Sequence, residues 1–185
     1  MFLPIYLYGH PVLRKASEDI GTDYPGLGQL IEDMFYTMDQ ADGVGLAAPQ
    51  IGRNIRLFVV DTSAFAENDP ECDGFRRAFM NAHITERFGE EKNREEGCLS
   101  VPGIHEYVKR PDSIRIRHTD PATGKETEEV YSGYKAWVIQ HEYDHLDGKI
   151  FTDHLSPLRK RLLKGKLANI AAGKADCRYK NVTAK

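Results

Sequence analysis

Two histidines, His141 and His145, stand four residues apart in the chain, with Glu142 directly after the first. On an α-helix, positions i and i+4 share one face, so both imidazoles can reach the same metal ion. Glu142 can then lie beside a water on that ion and take its proton without binding the metal. This HExxH arrangement indicates a catalytic metal site. Two satisfied structural histidines are the plainer alternative, which a glutamate at this offset disfavours.

The sequence around the histidines predicts the helix that must position them. Ser132 is a candidate N-cap, residues 134–147 contain no proline or glycine, and Gly148 favours a C-terminal stop. Tyr134 and Val138 precede the histidines at helical spacing. We therefore expect an aromatic and an aliphatic side chain beside the two ligands.

A catalytic site of this kind needs a third protein ligand and an open position for water. Phe151 occupies the place where extended zincin motifs carry a third histidine, and no glutamate follows Glu142. Cys98 is the favoured upstream ligand, because a thiolate binds such ions at ~2.3 Å and is deprotonated by them. The downstream alternatives are His154, Asp147 and Asp153.

The composition predicts one domain over residues 1–185, with 41% hydrophobic and 29% charged residues. The chain has no run of eighteen apolar residues, and its start lacks the basic region of a signal peptide. Three widely spaced cysteines do not form a disulfide framework. We therefore expect a cytoplasmic protein whose functional cysteines bind or react.

The net charge of −3 hides an asymmetry along the chain. Residues 156–185 hold nine lysines or arginines against one acid, Asp176, giving +8, so residues 1–155 carry −11. We predict a basic helix at residues 156–172 and a loosely held polar tail at 173–185. The basic segment favours an anionic partner such as RNA, and a solvated helix face is the alternative.

The remaining patterns predict an α+β fold in which antiparallel and mixed β-sheets pack around a central metal-binding helix, with an N-terminal and a C-terminal amphipathic helix. Apolar residues at helical spacing predict the N-terminal helix at residues 25–40, and those between Leu155 and Ile170 predict the C-terminal one. A glycine-rich and charged turn is expected after Ile84. The expected strands cover residues 56–61, 78–84, 104–109, 113–118 and 126–131, with a hairpin turn at 121–124.

Residues 42–52 contain three glycines and a proline. Glycines let another backbone approach closely, so this loop can lie against an extended peptide or a bound group. Gln50, just after Pro49, offers a neutral amide donor on a stiff backbone. An ordinary surface loop is the alternative interpretation.

Three stretches of this chain, residues 43–50, 96–100 and 141–145, resemble the three signature motifs of peptide deformylases in their order and approximate spacing. Residues 3–14 resemble the start of that family, although His10 replaces the acidic or amide residue often found there. The likeness spans most of the chain. The polar insert around residues 62–77 and the tail after residue 173 are less characteristic.

The resemblance implies a hydrolase that removes the formyl group from the N-formylmethionine of newly synthesised bacterial proteins and releases formate. It implies that Cys98, His141 and His145 hold one divalent ion, with Fe²⁺ expected in the cell. Zn²⁺, Ni²⁺ or Co²⁺ can occupy a site of this type. It further implies Glu142 as general base and acid, and the Gln50 amide with the Leu99 N–H as donors to the oxyanion.

Substrate selection in such an enzyme needs an apolar slot for methionine and an edge along which the peptide lies as an added strand. Arg94 and Glu96 are expected near the rim of the slot. The residues expected in contact with the substrate are Val44, Gly45, Glu96, Gly97, Leu99, Gly103, Tyr134, Trp137 and Val138. We expect nascent peptides as partners, the ribosome through the basic C-terminal helix, and no membrane or DNA partner.

Two other functions remain open at this point. A zincin-type endopeptidase is disfavoured by Phe151 and by the missing downstream glutamate. A structural metal or ribosome-binding module without catalysis would keep the three ligands. Such a module needs neither Glu142 nor Gln50.

Overall fold

The computed structural model describes residues 1–184, so the last residue of the predicted tail lies outside the described residues. None of the helices in that range is long and apolar enough to cross a membrane. The helices are α1 (Leu27–Gln40), α2 (Gly133–Leu146) and α3 (Pro157–Ala171). The strands are β1 (Ile5–Tyr6), β2 (Gly45–Ala47), β3 (Leu57–Asp61), β4 (Arg76–Cys98), β5 (Val101–Thr119), β6 (Glu126–Ser132) and β7 (Asn181–Val182). The predicted α+β class is confirmed.

Strands β2 to β6 form one antiparallel sheet in the order β2-β3-β4-β5-β6, and β1 pairs with β7 in a separate parallel ribbon. The β5–β6 hairpin turns where the sequence predicts it, with Gly124 at φ 70° and the Asp120 carboxylate accepting from two backbone N–H groups. Strand β2 lies at an edge of the sheet. Its outer side is therefore open to an added strand.

Helix α2 lies in the interior, and each residue from Ala136 to Leu146 is buried. Ile139 and Leu146 pack with Phe58 and Phe79 of the sheet, whereas Trp137 packs into a second apolar cluster. A helix that is buried all round must give each polar side chain a partner, because an unpaired buried polar group is costly. Five of the buried residues are nevertheless polar, which marks this helix as the carrier of a site. They are Gln140, His141, Glu142, Asp144 and His145.

The ends of α2 agree only partly with the sequence. Ser132 occupies the N-cap position, but its hydroxyl is 2.9 Å from the Ser113 hydroxyl and makes no cap hydrogen bond. Gly148 has φ 70° and follows the C-cap residue Asp147, as expected of a helix stop.

The prediction of a turn after Ile84 is wrong. Strand β4 continues through the charged residues to Cys98 and pairs along its length with β5, with irregularities in the register such as the one between Phe88 and Glu91. Pro111 of β5 lies opposite that irregularity, so the two predicted strands at residues 104–118 are one. Backbone pairing with a neighbouring strand overrides the weak strand preference of charged residues, which local sequence cannot show.

Helix α3 begins near its predicted position, and Ser156 caps it through a hydrogen bond from the Arg159 N–H. The predicted apolar stripe is only partly buried. Leu158 and Leu162 are 65% and 61% exposed, because these two side chains point away from the core. The buried part of the stripe consists of Leu155, Leu163, Leu167 and Ile170.

The prediction of a loosely held tail is also wrong for residues 173–184. The Ile5 N–H donates to the Lys180 carbonyl at 2.9 Å, and the Leu7 N–H donates to the Val182 carbonyl at 2.9 Å. These bonds form the β1–β7 ribbon and fix the C-terminal segment to the start of the chain. A polar composition therefore does not imply a free tail when another backbone offers the hydrogen bonds.

Candidate metal centre

Three side chains from two distant parts of the chain converge on one point. Ligand atoms of Cys98, His141 and His145 all lie within 4.8 Å of one another, and the Cys98 Sγ is 3.3 Å from the His145 Nε2. Cys98 ends strand β4, and α2 presents both histidines on one face. His154, the downstream alternative, lies elsewhere and bonds to Asp144 at 2.7 Å.

The donor set fits a divalent ion. One thiolate and two imidazoles leave a fourth, open position in a tetrahedral site. Burial lowers the pKa of His145 to about 3, so its imidazole is neutral and keeps a lone pair for ligation. One buried carboxylate oxygen at this point, the Glu142 Oε2, has no protein partner in the described residues. A water on a bound ion would supply the hydrogen bond that this oxygen lacks.

Glu96, which the sequence places near the rim of the methionine slot, lines the cavity at this centre and also orients one of the ligands. Its Oε2 is 2.8 Å from the His141 Nδ1, and its other oxygen accepts from Arg110 at 2.6 Å. Burial alone raises the pKa of Glu96, but hydrogen bonds with His141 and Arg110 lower it to about 2. Because Glu96 is ionised, the His141 Nδ1 must be the donor, which leaves its Nε2 free for the ion.

Arg110 connects this carboxylate to a second one. Its guanidinium donates to Asp144 at 2.8 Å, and Asp144 in turn contacts His154. Burial alone raises the pKa of Asp144, but His154 and Arg110 hold it below its usual range. Sequence analysis missed Arg110, although the alternation of buried residues along β5 shows that it faces inward with Ile104 and Val108.

We expect Arg110→Gln to lower the free energy of unfolding by about 3–5 kcal/mol, because Glu96 and Asp144 are left buried without their shared cation. Arg115→Gln is the matched control. Arg115 pairs with Glu86 at 3.2 Å, and both are about half exposed. Such a pair is worth about 0–1 kcal/mol. Urea unfolding of the two variants measures the difference, and equal losses would contradict the role given to Arg110.

Glu142 lies against the glycine loop. A Cβ at position 45 would lie 2.3 Å from the Glu142 Oε1, so only glycine fits beside this carboxylate. Burial raises the pKa of Glu142 to about 7. A carboxyl group with such a pKa can accept a proton and return it near neutral pH.

The Gln50 side chain is held with its amide N–H groups toward the centre. Its Oε1 accepts from the Ala47 N–H at 2.8 Å, which fixes the orientation of the amide. Its Nε2 lies 3.1 Å from the Ser100 Oγ and 3.4 Å from the Cys98 Sγ. Gln50 therefore presents a positioned donor beside the metal ligands. Ser100 belongs to the second motif, but no role was predicted for it.

A cavity of about 520 Å³ opens onto the centre. Eight of the expected contact residues line it, and they are Val44, Gly45, Glu96, Gly97, Leu99, Gly103, Trp137 and Val138. Tyr134 is not among the lining residues, and it stacks on Phe65 at 4.8 Å beneath the Arg94 guanidinium. The aromatic side chains that line the cavity include Phe65, Trp137 and Tyr179.

Ile104 and His105 line the cavity next to Gly103 on β5. Sequence analysis missed one further part of the lining. Four residues of the C-terminal segment, Asp176, Cys177, Arg178 and Tyr179, line the cavity as well. No local pattern marks that segment, because its place follows from pairing with β1.

Comparison with protein families gives a match over most of the chain. A family model described as polypeptide deformylase matches residues 2–161. A peptide deformylase of Cytophaga hutchinsonii is 49% identical over 180 residues, which cover 97% of this chain and 96% of that protein. A peptide deformylase of Christiangramia forsetii is 50% identical over 188 residues, with 97% and 95% covered.

Solved structures give the same picture. The peptide deformylase of Thermus thermophilus superposes with a TM-score of 0.82 at 37% identity, covering 94% of this chain and 99% of that one. A peptide deformylase of Legionella pneumophila superposes with a TM-score of 0.79 at 38% identity, with 94% and 98% covered.

Proposed function

The chain belongs to the polypeptide deformylase family, and on this basis we propose that it removes the formyl group from the N-terminal N-formylmethionine of newly synthesised proteins and releases formate. One observation carries the proposal. Two candidate groups for the chemistry, Glu142 and Gln50, line one cavity with the candidate ligands Cys98 and His141, and His145 completes the ligand set beside them. A structural metal site would need neither group.

Members of this family depend on a metal, and Cys98, His141 and His145 would hold it here. We propose Fe²⁺ as the ion in the cell, with Zn²⁺, Ni²⁺ or Co²⁺ able to occupy the same donors. When bound, such an ion lowers the pKa of a coordinated water toward neutrality and polarises the carbonyl under attack.

Glu142 is the proposed proton carrier. Its buried carboxylate accepts the proton of the attacking water and later returns it to the amine that leaves with the peptide. Gly45 packs against this carboxylate and limits its movement. The raised pKa of Glu142 supports both halves of the transfer, since the group can be ionised before the attack and protonated after it.

Negative charge develops on the formyl oxygen during the attack. The Gln50 Nε2 and the Leu99 N–H are the proposed donors to that oxyanion. The hydrogen bonds of Gln50 with Ala47 and Ser100 support this role, because they fix the direction of the side-chain amide before any substrate binds. Leu99 supports it because it follows the ligand Cys98 and lines the cavity.

Gln50→Ala is expected to lower kcat by about 10²–10³-fold, because one prearranged oxyanion donor is lost. Metal content should stay near that of the unchanged protein, since Gln50 is not a ligand. Gln29→Ala, an exposed glutamine on α1, is the control and should leave kcat unchanged. Formate release under substrate saturation measures both variants. A kcat within about threefold of the unchanged protein would remove Gln50 from the oxyanion site.

The peptide is proposed to bind along the open edge of β2, with its backbone between Val44–Gly45 on one side and residues 103–105 on the other. The methionine side chain then lies toward Trp137 and Val138 of α2, which line the cavity. Backbone hydrogen bonds supply affinity in this mode, and the apolar slot supplies specificity.

The test of the reaction is formate release from formyl-Met-Ala-Ser by protein purified without oxygen, with metal content measured on the same sample. We expect turnover that depends on bound metal. Bound metal without formate release would overturn the proposal. Casein cleavage would then separate an endopeptidase from a module without catalysis.

We further propose that α3 docks on ribosomal RNA, which also implies a cytoplasmic location. Its exposed surface combines Leu158 and Leu162 with four cations that form no salt bridge to a described residue, whereas Arg159 is paired with Glu106 at 3.0 Å. These cations are Lys160, Arg161, Lys164 and Lys166, all exposed. Lys160 donates only to a backbone carbonyl, that of Asp153, at 2.7 Å.

Reversal of these four charges to glutamate should abolish co-sedimentation with ribosomes, and rising salt should weaken the binding of the unchanged protein steeply. The matched control reverses four exposed cations elsewhere, at Lys15, Arg53, Arg117 and Lys125. Equal loss in both variants would indicate only general charge attraction and would contradict docking through α3.

A further inference from the structure

The C-terminal wall, defined as residues 176–179, closes one side of the cavity that opens onto the metal centre. It lies beyond residues 2–161, to which the family model extends. Exposure alternates along it, with Cys177 and Tyr179 partly buried and Asp176 and Arg178 exposed. Alternate side chains of the segment, those of Cys177 and Tyr179, are therefore less exposed to solvent than their neighbours.

The wall is held at both ends. Before it, the Lys174 N–H donates to the Asn169 carbonyl at the end of α3. After it, β7 pairs with β1. The wall is thus tied to two parts of the core and has little freedom to swing away.

Tyr179 links the wall to the turn next to the metal ligand Cys98. Its hydroxyl donates to the Leu99 carbonyl at 2.5 Å, and its ring packs in the same apolar cluster as Cys98 and Leu99. Leu99 lies in the short turn between β4 and β5 that carries the ligand Cys98. A hydrogen bond to this turn links the position of the wall to the position of the metal ligand.

The wall lies opposite Asp42, at the start of the glycine-rich loop of residues 42–52. The Arg178 guanidinium reaches the Asp42 carboxylate at 3.5 Å, but both side chains are more than three-quarters exposed, so this pair adds little energy. The wall is therefore held mainly by the hydrogen bond of Tyr179 to Leu99 and by the packing of its ring, and not by this ion pair. Residues 43–45 and the wall line the same cavity.

We propose that the C-terminal wall contacts the part of the substrate that follows formylmethionine, and that Tyr179 is the positioning residue that holds the wall against the turn at residues 98–100. The inference rests on the proposed function, and it adds a specificity element to the same site. Residues beyond methionine are then selected by shape at the wall as well as by backbone pairing at β2.

The kinetic test compares formyl-Met-Ala-Ser with formyl-Met. Cys177→Phe places a bulky ring in the outer cavity, and Tyr179→Phe removes only the hydroxyl. In both variants the ratio of kcat/KM for the tripeptide to kcat/KM for formyl-Met should fall about fivefold or more, mainly through a higher KM for the tripeptide. A general loss of folding lowers both values and leaves the ratio unchanged.

Lys174→Phe is the matched control, since Lys174 is exposed and is not a lining residue of the cavity. Its ratio should equal that of the unchanged protein. An unchanged ratio in Cys177→Phe would overturn the wall as a substrate contact. An unchanged ratio in Tyr179→Phe alone would remove the positioning role.

A second measurement needs binding but no turnover. The thiol of Cys177 is partly exposed, whereas Cys72 is buried and serves as the internal reference. Saturating Met-Ala-Ser, judged by the fluorescence of the single tryptophan, should slow iodoacetamide labelling of Cys177 about fivefold or more. If the labelling of Cys177 is not slowed, the proposal that the wall contacts the substrate is wrong. If the peptide slows the labelling of Cys177 but the protein releases no formate, the wall does contact the peptide and the proposed deformylation is what is wrong.

Discussion

Replacing Glu142 by alanine is expected to lower kcat by about 10²–10⁴-fold while the metal stays bound. Glu142 is the one buried carboxyl group at the centre with an unpaired oxygen among the described residues, and it is not among the candidate ligands. Without it, the attacking water has no proton acceptor and the leaving amine has no proton donor. The two halves of the reaction therefore fail together.

Glu142→Gln refines the test, because glutamine keeps the shape of the side chain beside Gly45 but cannot accept the proton. It should be as inactive as the alanine variant. Glu128→Ala, an exposed carboxylate on β6, should retain full activity. Formate release with parallel metal analysis measures all three. Near-native activity of Glu142→Ala would exclude this residue as the proton carrier.

Replacing Cys98 by alanine is the second change with a large expected effect, and it should remove both the bound ion and the activity. Two imidazoles remain, but a catalytic site of this type needs three protein ligands. The thiolate also carries the only negative charge in the donor set, which favours a divalent cation. Metal content should fall to a small fraction of one ion per chain, and formate release should fall with it.

The control for this experiment is Cys72→Ala, which changes a buried thiol in the polar insert and should leave metal content unchanged. His154→Ala addresses the alternative ligand and should also keep its metal, because His154 contacts Asp144. A Cys98→Ala protein that still holds one ion per chain would show that the third ligand lies elsewhere.

Local sequence was sufficient to predict the helix that carries the centre and the residue types that can bind an ion. Helical spacing alone places His141 and His145 on one face, since the period of the helix is a property of the backbone. The α+β class followed from the same periodicities and is confirmed by the fold. The short motif around Cys98 was recognisable because its residues are neighbours in the chain.

Only the tertiary structure decided which side chains meet across long stretches of chain. Glu96 was expected only near the rim of the slot, but its carboxylate also orients His141 and accepts a hydrogen bond from Arg110. Tyr134 was expected in the cavity, but Phe65 from the polar insert offers it a stacking partner. Neither partner lies close enough in sequence for periodicity to reveal the contact.

The C-terminal segment shows the same limit most clearly. Its composition is polar, and polar composition predicts disorder when no hydrogen-bond partner is known. The partner is β1, near the opposite end of the chain, and this pairing carries Cys177 and Tyr179 to the cavity. Helices and turns are set by contacts within a few residues, which sequence displays directly. Walls and ion-pair networks are set by pairings between distant segments, and these become visible only in the folded chain.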